Sequence, residues 1–366
     1  MLVASKRFLR FLFGVKLKFR RLDLQLVHPW AIARSRAASV CPVVVVELTG
    51  ADGTVGLGEA SPSSRYKETA DTVEAFLKNV DARGLSFNDI EGSMAYLDTL
   101  SQSDMAAKCA LNVALNDGAA KRARLPVCGW LGLGFHENQH VTSFTIGLDQ
   151  PDIIRRKVLE AEAFPVLKMK IGSADDKANL QTLREVAPAK PVRVDANEGW
   201  KTKEQALEMI EWLARDGQIQ YVEQPLPAST PVRDWVWLKQ RSPLLLFGDE
   251  SYHLAKDAAQ AAECFHGVNV KLVKTGGLSA GFEALRAARK AGLKTMLGCM
   301  IETSILISAG AHLADLCDYL DLDGNLLIAN DPYAGVTAER GRLSFATAAE
   351  PFGLRVRVKD VVGTKA

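Results

Sequence analysis

Eight charged residues recur along this 366-residue chain at a spacing that could let them act together. They are Lys168 and Lys170, Asp195, Glu223, Asp249, Lys271, then Asp321 and Asp323. From Lys170 to Lys271 the steps are 25, 28, 26 and 22 residues. Each step is the length of one strand plus one helix. Three carboxylates with no His or Cys at matching places offer hard oxygen ligands, which selects Mg²⁺ over Zn²⁺. Mg²⁺ there would bind a substrate carboxylate and stabilise the charge that builds as a proton leaves the adjacent carbon. Lysines on either side can serve as base and acid. An ordinary lysine, with a pKa of about 10.4, is a poor base at neutral pH. Lys168 and Lys170 share one strand face, about 6.6 Å apart. Their repulsion is about 2.5 kcal/mol at an effective dielectric of 20, enough to let one of them act as a neutral base. Lys271 approaches from the opposite side. Two opposed lysines suit a racemisation, one removing the α-proton and the other returning it on the other face.

Taken singly, each signal is weak. Lys-x-Lys is commonly a solvated strand face, and Asp-Ala-Asn or Asp-Leu-Asp-Gly is common turn chemistry. Recurrence at one period, at one strand position, carries the reading. The elements that must hold these residues are short apolar runs alternating with amphipathic stretches. The runs are 141–147, 166–172, 191–197, 219–225, 244–251, 268–274, 295–300 and 319–323. Between them, Thr202 and Gln205 fit a capping box opening a helix whose apolar face is Leu207, Ile210 and Leu213. Another helix carries Phe282 and Leu285 and is closed by Gly292. Strands alternating with helices imply parallel strands, and eight of them imply a closed α/β barrel whose C-terminal strand ends share one mouth.

The first 139 residues read differently. Leu22, Leu24 and Leu26 alternate with polar residues, and 43–48 meets 55–57 across a Gly-containing turn at 50–53. Helices are expected over 68–80, 88–100 and 105–123. This is an α+β domain over 1–139, followed by a barrel over 140–330. The segment 331–366, with short strands near 341–345 and 354–358, is expected to return to the first domain.

Composition excludes several classes. Lys+Arg 45 against Asp+Glu 43 gives a net charge of +2, too balanced for a nucleic-acid binder with a basic face. No apolar run approaches the roughly 18 residues of a transmembrane helix. Six cysteines, none in Cys-x-x-Cys pairs, read as free thiols in a reducing cytoplasm. The basic and apolar stretch from Lys6 to Lys18 lacks the apolar core and cleavage site of a signal peptide, and reads as a partly disordered start. The histidines, such as His253 and His312, show no metal spacing.

These residues resemble the enolase superfamily, specifically its muconate-lactonizing subgroup. That family carries Lys-x-Lys on the second barrel strand, Asp, Glu and Asp metal ligands on the next three, and a lysine on the sixth. Here these are Lys168-Met169-Lys170, Asp195, Glu223, Asp249 and Lys271. The resemblance covers most of the chain. It implies a modified TIM barrel, (β/α)7β, with an α+β capping domain formed by the N-terminal region and the C-terminal tail. Mandelate-racemase-like members use a histidine on the seventh strand, where this chain has Gly298-Cys299-Met300. Within the subgroup, Asp321-x-Asp323 resembles dipeptide epimerases, in which the pair holds the substrate α-ammonium. The stretches 142–147 and 269–277 also resemble those enzymes. The resemblance implies Lys170 and Lys271 as the acid/base pair. It implies Mg²⁺ on the C-terminal carboxylate of a dipeptide, and Lys168 tuning Lys170 and touching that carboxylate. Asn197 and Glu250 are expected to support the ligands beside them, and Cys299 and Met300 to line the substrate site. Specificity is expected from cap loops 29–36 and 61–68. Arg34 or Arg36 is a candidate reader of an acidic side chain, while His28-Pro29-Trp30 could equally make an apolar pocket. A homo-oligomer is expected by analogy.

Three rivals stand beside this reading. The same barrel could run o-succinylbenzoate synthase or N-acylamino acid racemase chemistry, but neither substrate has an ammonium for Asp321 and Asp323. Gly277-Leu278-Ser279-Ala280-Gly281 matches a hydrolase nucleophile elbow. No Asp lies between Ser279 and His312, and Ser279 reads better as a helix N-cap. Cys299 reads as strand packing, since two lysines need no thiolate. A barrel that binds without turnover gives no reason for two lysine positions beside three acidic ligands.

Overall fold

The computed structural model describes residues 15–33 and 35–359, with the side chains of Ser35 and Arg36 outside the description. An antiparallel meander opens the chain: β1 (Lys16–Ile32), β2 (Ser35–Thr49) and β3 (Val55–Ala60). Alternation buries Leu24, and the β-branched run Val43–Val46 is buried on both faces. Helices α1 (Ala70–Lys78) and α3 (Met105–Arg122) cover the sheet, and α2 (Ile90–Leu100) packs on α3. α3 lies directly on β3 because Gly56 and Gly58 leave room. A Cβ at either would stand 2.1 Å from the Ala114 carbonyl oxygen or 1.9 Å from that of Ala110. Buried Asp117 on α3 accepts from Leu57 N and Leu354 N, both at 2.8 Å, and so ties sheet, helix and tail together.

The second part is a parallel barrel. Its strands are β4 (Phe144–Ile146), β5 (Leu167–Lys170), β6 (Val192–Asp195), β7 (Ile219–Glu223), β8 (Leu245–Gly248), β9 (Gly267–Val270), β10 (Lys294–Gly298) and β11 (Tyr319–Asp321). They neighbour one another in chain order, and a Thr142–Leu320 bridge brings the last strand beside the first. The crossovers are α4 (Pro151–Glu160), α5 (Asp176–Val186), α6 (Lys203–Ala214), α7 (Val232–Arg241), α8 (Ala258–Cys264), α9 (Leu278–Lys290) and α10 (Ser304–Ala311). Each of the eight expected runs overlaps a strand, with β9 and β10 starting one residue earlier, but the strands stop before the runs do. Lys271 opens a single helical turn, Leu272–Thr275, and Asp323 opens a 3-10 turn, Gly324–Leu326. The last residues of these runs leave the sheet to build the mouth.

Two local expectations need correction. Thr202 Oγ1 accepts from Gln205 N (3.1 Å), but Gln205 Oε1 accepts from Lys201 N (2.9 Å), so the box is only half formed. Ser279 is not an N-cap, since Gly277 fills that place at a φ of 124°. Ser279 Oγ instead accepts from Asn112 and Asn116 on α3, at 3.0 and 3.2 Å, docking α9 on the N-terminal domain.

The tail forms two small antiparallel pairs, β12 (Tyr333–Ala334) with β15 (Arg357–Val358) and, between them in the chain, the hairpin of β13 (Thr337–Glu339) with β14 (Arg342–Ser344). It touches both parts: Val127 N donates to Gly353 O (2.9 Å) and Thr142 N to Gly341 O (2.8 Å). Among the described residues no helix is long and apolar enough to cross a membrane.

Candidate active site

Strand register assembles the charges. Lys170 pairs with Asp195 across β5 and β6, and Asp195 with Glu223 across β6 and β7. Asp249 stands one residue past β8 and Lys271 one past β9. Asp195, Glu223 and Asp249 are buried, each with a carboxylate oxygen within 4.8 Å of the others'. Lys170 Nζ donates to Asp195 Oδ2 at 2.6 Å. Lys271 Nζ lies 2.8 Å from Asp249 Oδ2. The two lysines thus flank the row of three carboxylates. Lys168 is wholly enclosed, with Asp321 at 2.6 Å, Glu223 at 2.8 Å and Asp195 at 3.4 Å.

The donor set fits a hard divalent cation. All donors are carboxylate oxygens. Buried Glu223 Oε2 and Asp249 Oδ2 accept no well-formed hydrogen bond and face ammonium groups instead. The charge balance is uneven along the row. Burial, then repulsion from Asp195, pushes the Glu223 carboxyl up to about 7. Burial also acts on Asp195, but Lys170 and Lys168 outweigh it and hold that carboxyl at about 2. Asp249 lies well below the usual carboxylate range, because Lys271 and Lys274 overcome its burial. Lys168 moves opposite to the expectation of a pair lowered by mutual repulsion. Its burial disfavours the charge, yet Asp321, Glu223 and Asp195 raise it well above an ordinary lysine.

Across the mouth, Asp321 accepts from Ser143 Oγ (2.8 Å), and Asp323 accepts from Thr145 N (2.6 Å). Burial and its neighbour Asp321 push Asp323 up to about 7. A cavity of about 500 Å³ opens between the acidic pair and the lysines. Lys170, Lys271, Asn197, Cys299, Met300, Asp321 and Asp323 all line it. Trp30, Ile32, Val40 and Pro42 from β1 and β2 roof it, with Ser61 and Arg65 from the next cap loop. The Lys170 ammonium sits 6.0 Å from the centre of the Trp30 ring. Cys299 is a half-buried thiol raised well above its ordinary value by desolvation and by Asp323. Lys168 does not line the cavity, Glu250 lines a separate one behind β8, and Arg34 lies outside the described residues.

Residues 17–132 match the family model "Mandelate racemase / muconate lactonizing enzyme, N-terminal domain", and residues 154–332 match "Enolase C-terminal domain-like". The L-Ala-D/L-amino acid epimerase of Pedosphaera parvula is 64% identical over 347 residues, covering 94% of this chain and 100% of that one. The chain belongs to the enolase superfamily. Another superfamily relative, the L-Ala-D/L-Glu epimerase of Bacteroides thetaiotaomicron, is 39% identical over 90% of this chain and 85% of its own. The crystal structure of the dipeptide epimerase from Enterococcus faecalis V583, complexed with Mg and L-Leu-L-Tyr, superposes with a TM-score of 0.84. It shares 30% identity over 94% of this chain and 99% of that one.

This enolase-superfamily site also uses residues that the spacing did not flag. Asn269 Nδ2 donates to Glu223 Oε1 at 2.7 Å, two residues before Lys271 on the same strand face. That is the offset of Lys168 from Lys170, so the signal was present. Lys274, buried, bonds Asp249 through its side chain and its carbonyl, and reaches Asn269 O at 3.1 Å. Gln224 Oε1 accepts from Asp249 N (2.9 Å) and Ser251 N (3.2 Å), joining the ends of β7 and β8.

Proposed function

We propose that the protein is a Mg²⁺-dependent dipeptide epimerase that inverts the α-carbon of the C-terminal residue by proton transfer between Lys170 and Lys271. The observation that carries this reading is the entry of both lysines into one cavity, at the two ends of the carboxylate row, with an acidic pair opposite. The names of the relatives, and the Mg and dipeptide in the Enterococcus faecalis structure, support it. Asp195, Glu223 and Asp249 would hold Mg²⁺, which when bound supplies a Lewis acid for the substrate carboxylate. Asp195 and Asp249 fix the Nζ atoms of Lys170 and Lys271 by hydrogen bond and ion pair. One lysine takes the α-proton and the other delivers a proton to the opposite face; the roles reverse for the other epimer. Lys168, buried among three carboxylates, offsets their repulsion. Asp321 and Asp323 receive the substrate α-ammonium, a group that N-acyl substrates lack. Six free cysteines support a reducing cytoplasm as its place. Domain limits of 1–139, 140–330 and 331–366, and a homo-oligomeric state, complete the proposal.

The test is incubation with Mg²⁺ and a library of L,L-dipeptides in D₂O, followed by mass spectrometry. One solvent deuteron gained per molecule, lost with EDTA, is expected. Removing one lysine should abolish inversion while leaving exchange from the single epimer that the other lysine deprotonates. No exchange in any dipeptide, with the protein folded and Mg²⁺ supplied, would sink the reading and move it to N-acylamino acids.

A further inference from the structure

We propose that Arg65 and Glu198 form a positioning pair that locks cap loop 61–68 onto the barrel mouth and, by the same contact, sets the carboxylate row for its cation. The part that concerns substrate rests on the epimerase reading; the part that concerns the cation does not. Arg65 lies on a 3-10 turn, Ser64–Tyr66, opened by the Ser63 side chain. Its guanidinium makes a two-pronged bond to Glu198, Nε to Oε2 at 2.7 Å and Nη2 to Oε1 at 2.8 Å. This planar fork fixes direction as well as distance, which a lysine could not do.

Glu198 is where three loops meet. Its Oε1 also accepts from Ala228 N (2.8 Å), on the connection after β7. Its backbone N donates to Gln224 O at 2.8 Å. One residue back, Asn197 N donates to Asp195 Oδ1 at 2.9 Å. Gln224 in turn holds the backbone N–H of Asp249. A contact from the cap therefore reaches the ends of β6, β7 and β8 within two or three hydrogen bonds. The backbone records the constraint. Asn197, Glu198 and Gln224 have φ of 44°, 65° and 38°, left-handed values that non-glycine residues keep only when their surroundings impose them.

The loop is anchored at its two ends, by Ser61 Oγ to Ile301 O (2.8 Å) and by Glu68 Oε1 to Ala106 N (3.0 Å). Arg65 stands midway, where the loop meets the cavity. Its side chain is 34% exposed and that of Glu198 11%, so the arginine can let go while Glu198 stays with the barrel. Closing the loop over a substrate and fixing the Asp195 carboxylate are then one event. Arg65 acts through Glu198 rather than on the reacting atoms.

A double-variant cycle tests this with Arg65→Ala, Glu198→Gln and the two combined. Free Mn²⁺ is counted by EPR without substrate, and KM and kcat are measured on an exchanged dipeptide. Arg65→Ala is expected to weaken Mn²⁺ binding and raise KM, each about tenfold, the worth of one charge-assisted fork. kcat should fall less than about threefold. The combined variant should be no worse than the worse single, because the two side chains act as one unit. Arg65→Lys, which keeps charge and stem, should lose about threefold and gives the same decision if the alanine variant does not fold. Mn²⁺ affinity and KM within twofold of wild type for both Arg65 variants, or losses that simply add, would overturn the proposal. If wild type exchanges no dipeptide, the epimerase reading falls, and the Mn²⁺ cycle alone decides the pair.

Discussion

Two layers of side chains fill the barrel, two residues apart along the same strands, and they handle burial in opposite ways. The lower layer contains Arg193, Tyr221, Phe247, Met296 and Tyr319; the upper contains Asp195, Glu223, Asp249 and Asp321. Below, Tyr221 packs on Phe247 with ring centres 4.4 Å apart, and Phe247 meets Tyr319 edge-on at 5.4 Å. Two cations start at that height: Arg193 lies over the Tyr319 ring and donates to Leu320 O (2.6 Å) and Gln220 Oε1 (3.0 Å), whereas Lys168, its register partner on β5, reaches up to Glu223 and Asp321. This layer is complete without a ligand. Above, carboxylates face lysines, with acceptor capacity at Glu223 and Asp249 that hydrogen bonds do not use. A layer built only for stability would not keep that many buried charges, since removing any one partner leaves another exposed to the low-dielectric interior. The contrast separates function from scaffold within a single set of strands.

Breaking the upper layer should stop the chemistry and leave the fold. Lys271→Ala is expected to lower kcat by at least about 10³-fold, the scale of a lost general acid or base. Lys274 still faces Asp249 in that variant, so the melting temperature should stay close to wild type. Breaking the lower layer should do the reverse. Tyr221→Ala removes a fully buried ring and should cost about 3–5 kcal/mol in urea unfolding, while kcat of the folded fraction stays near wild type. Equal loss of kcat in both variants would show that the two layers are not separable. The acidic pair sharpens the contrast inside the upper layer. Alanine at both Asp321 and Asp323 should lower kcat/KM for dipeptides about 10²-fold, and lower it less for N-acylamino acids, which bring no ammonium. An unchanged dipeptide kcat/KM would remove the ammonium role.

How far the upper layer could be read beforehand follows from what each residue depends on. Lys170, Asp195 and Glu223 depend on strand period and on a constant crossover length, both local, so spacing alone puts them at one height. Asp249, Lys271 and Asp323 are legible as positions, yet each stands beyond its strand, because the backbone turns away just where the site begins. Arg65 and Glu198 were not legible as a pair. They are 133 residues apart, and no local pattern tells which cap loop meets which barrel loop. Ser279 misleads for the same reason. A Gly-x-Ser-x-Gly pattern describes the backbone nearby, whereas the partners of its hydroxyl, Asn112 and Asn116, come from another domain.

Away from both layers, a smaller effect marks the seam between barrel and tail. His312 is fully buried at the end of α10, stacked on Phe345 at 4.6 Å and accepting from Cys128 N at Nδ1 (3.3 Å). Burial, aided by repulsion from Arg355, pushes its imidazole down to about 3. In the unfolded chain it titrates near 6.5. The folded protein therefore keeps this histidine neutral while the unfolded chain takes up a proton. Its contribution to stability is full above about pH 6.5 and is lost as the pH falls towards 3. Between pH 7 and pH 5 the loss is about 2 kcal/mol. Glu59 opposes it. Buried on β3 against Thr303, its carboxyl is pushed up to about 8, so its folded form gains over the same interval. The absolute slope of stability with pH thus mixes two signs, and the informative quantity is a difference. Stability of wild type minus that of His312→Gln, from urea unfolding at each pH, should fall by about 2 kcal/mol from pH 7 to pH 5. A flat difference would mean that His312 is protonated in the folded chain as readily as in the unfolded one, and that the seam tolerates a charge where the barrel mouth needs its own compensated.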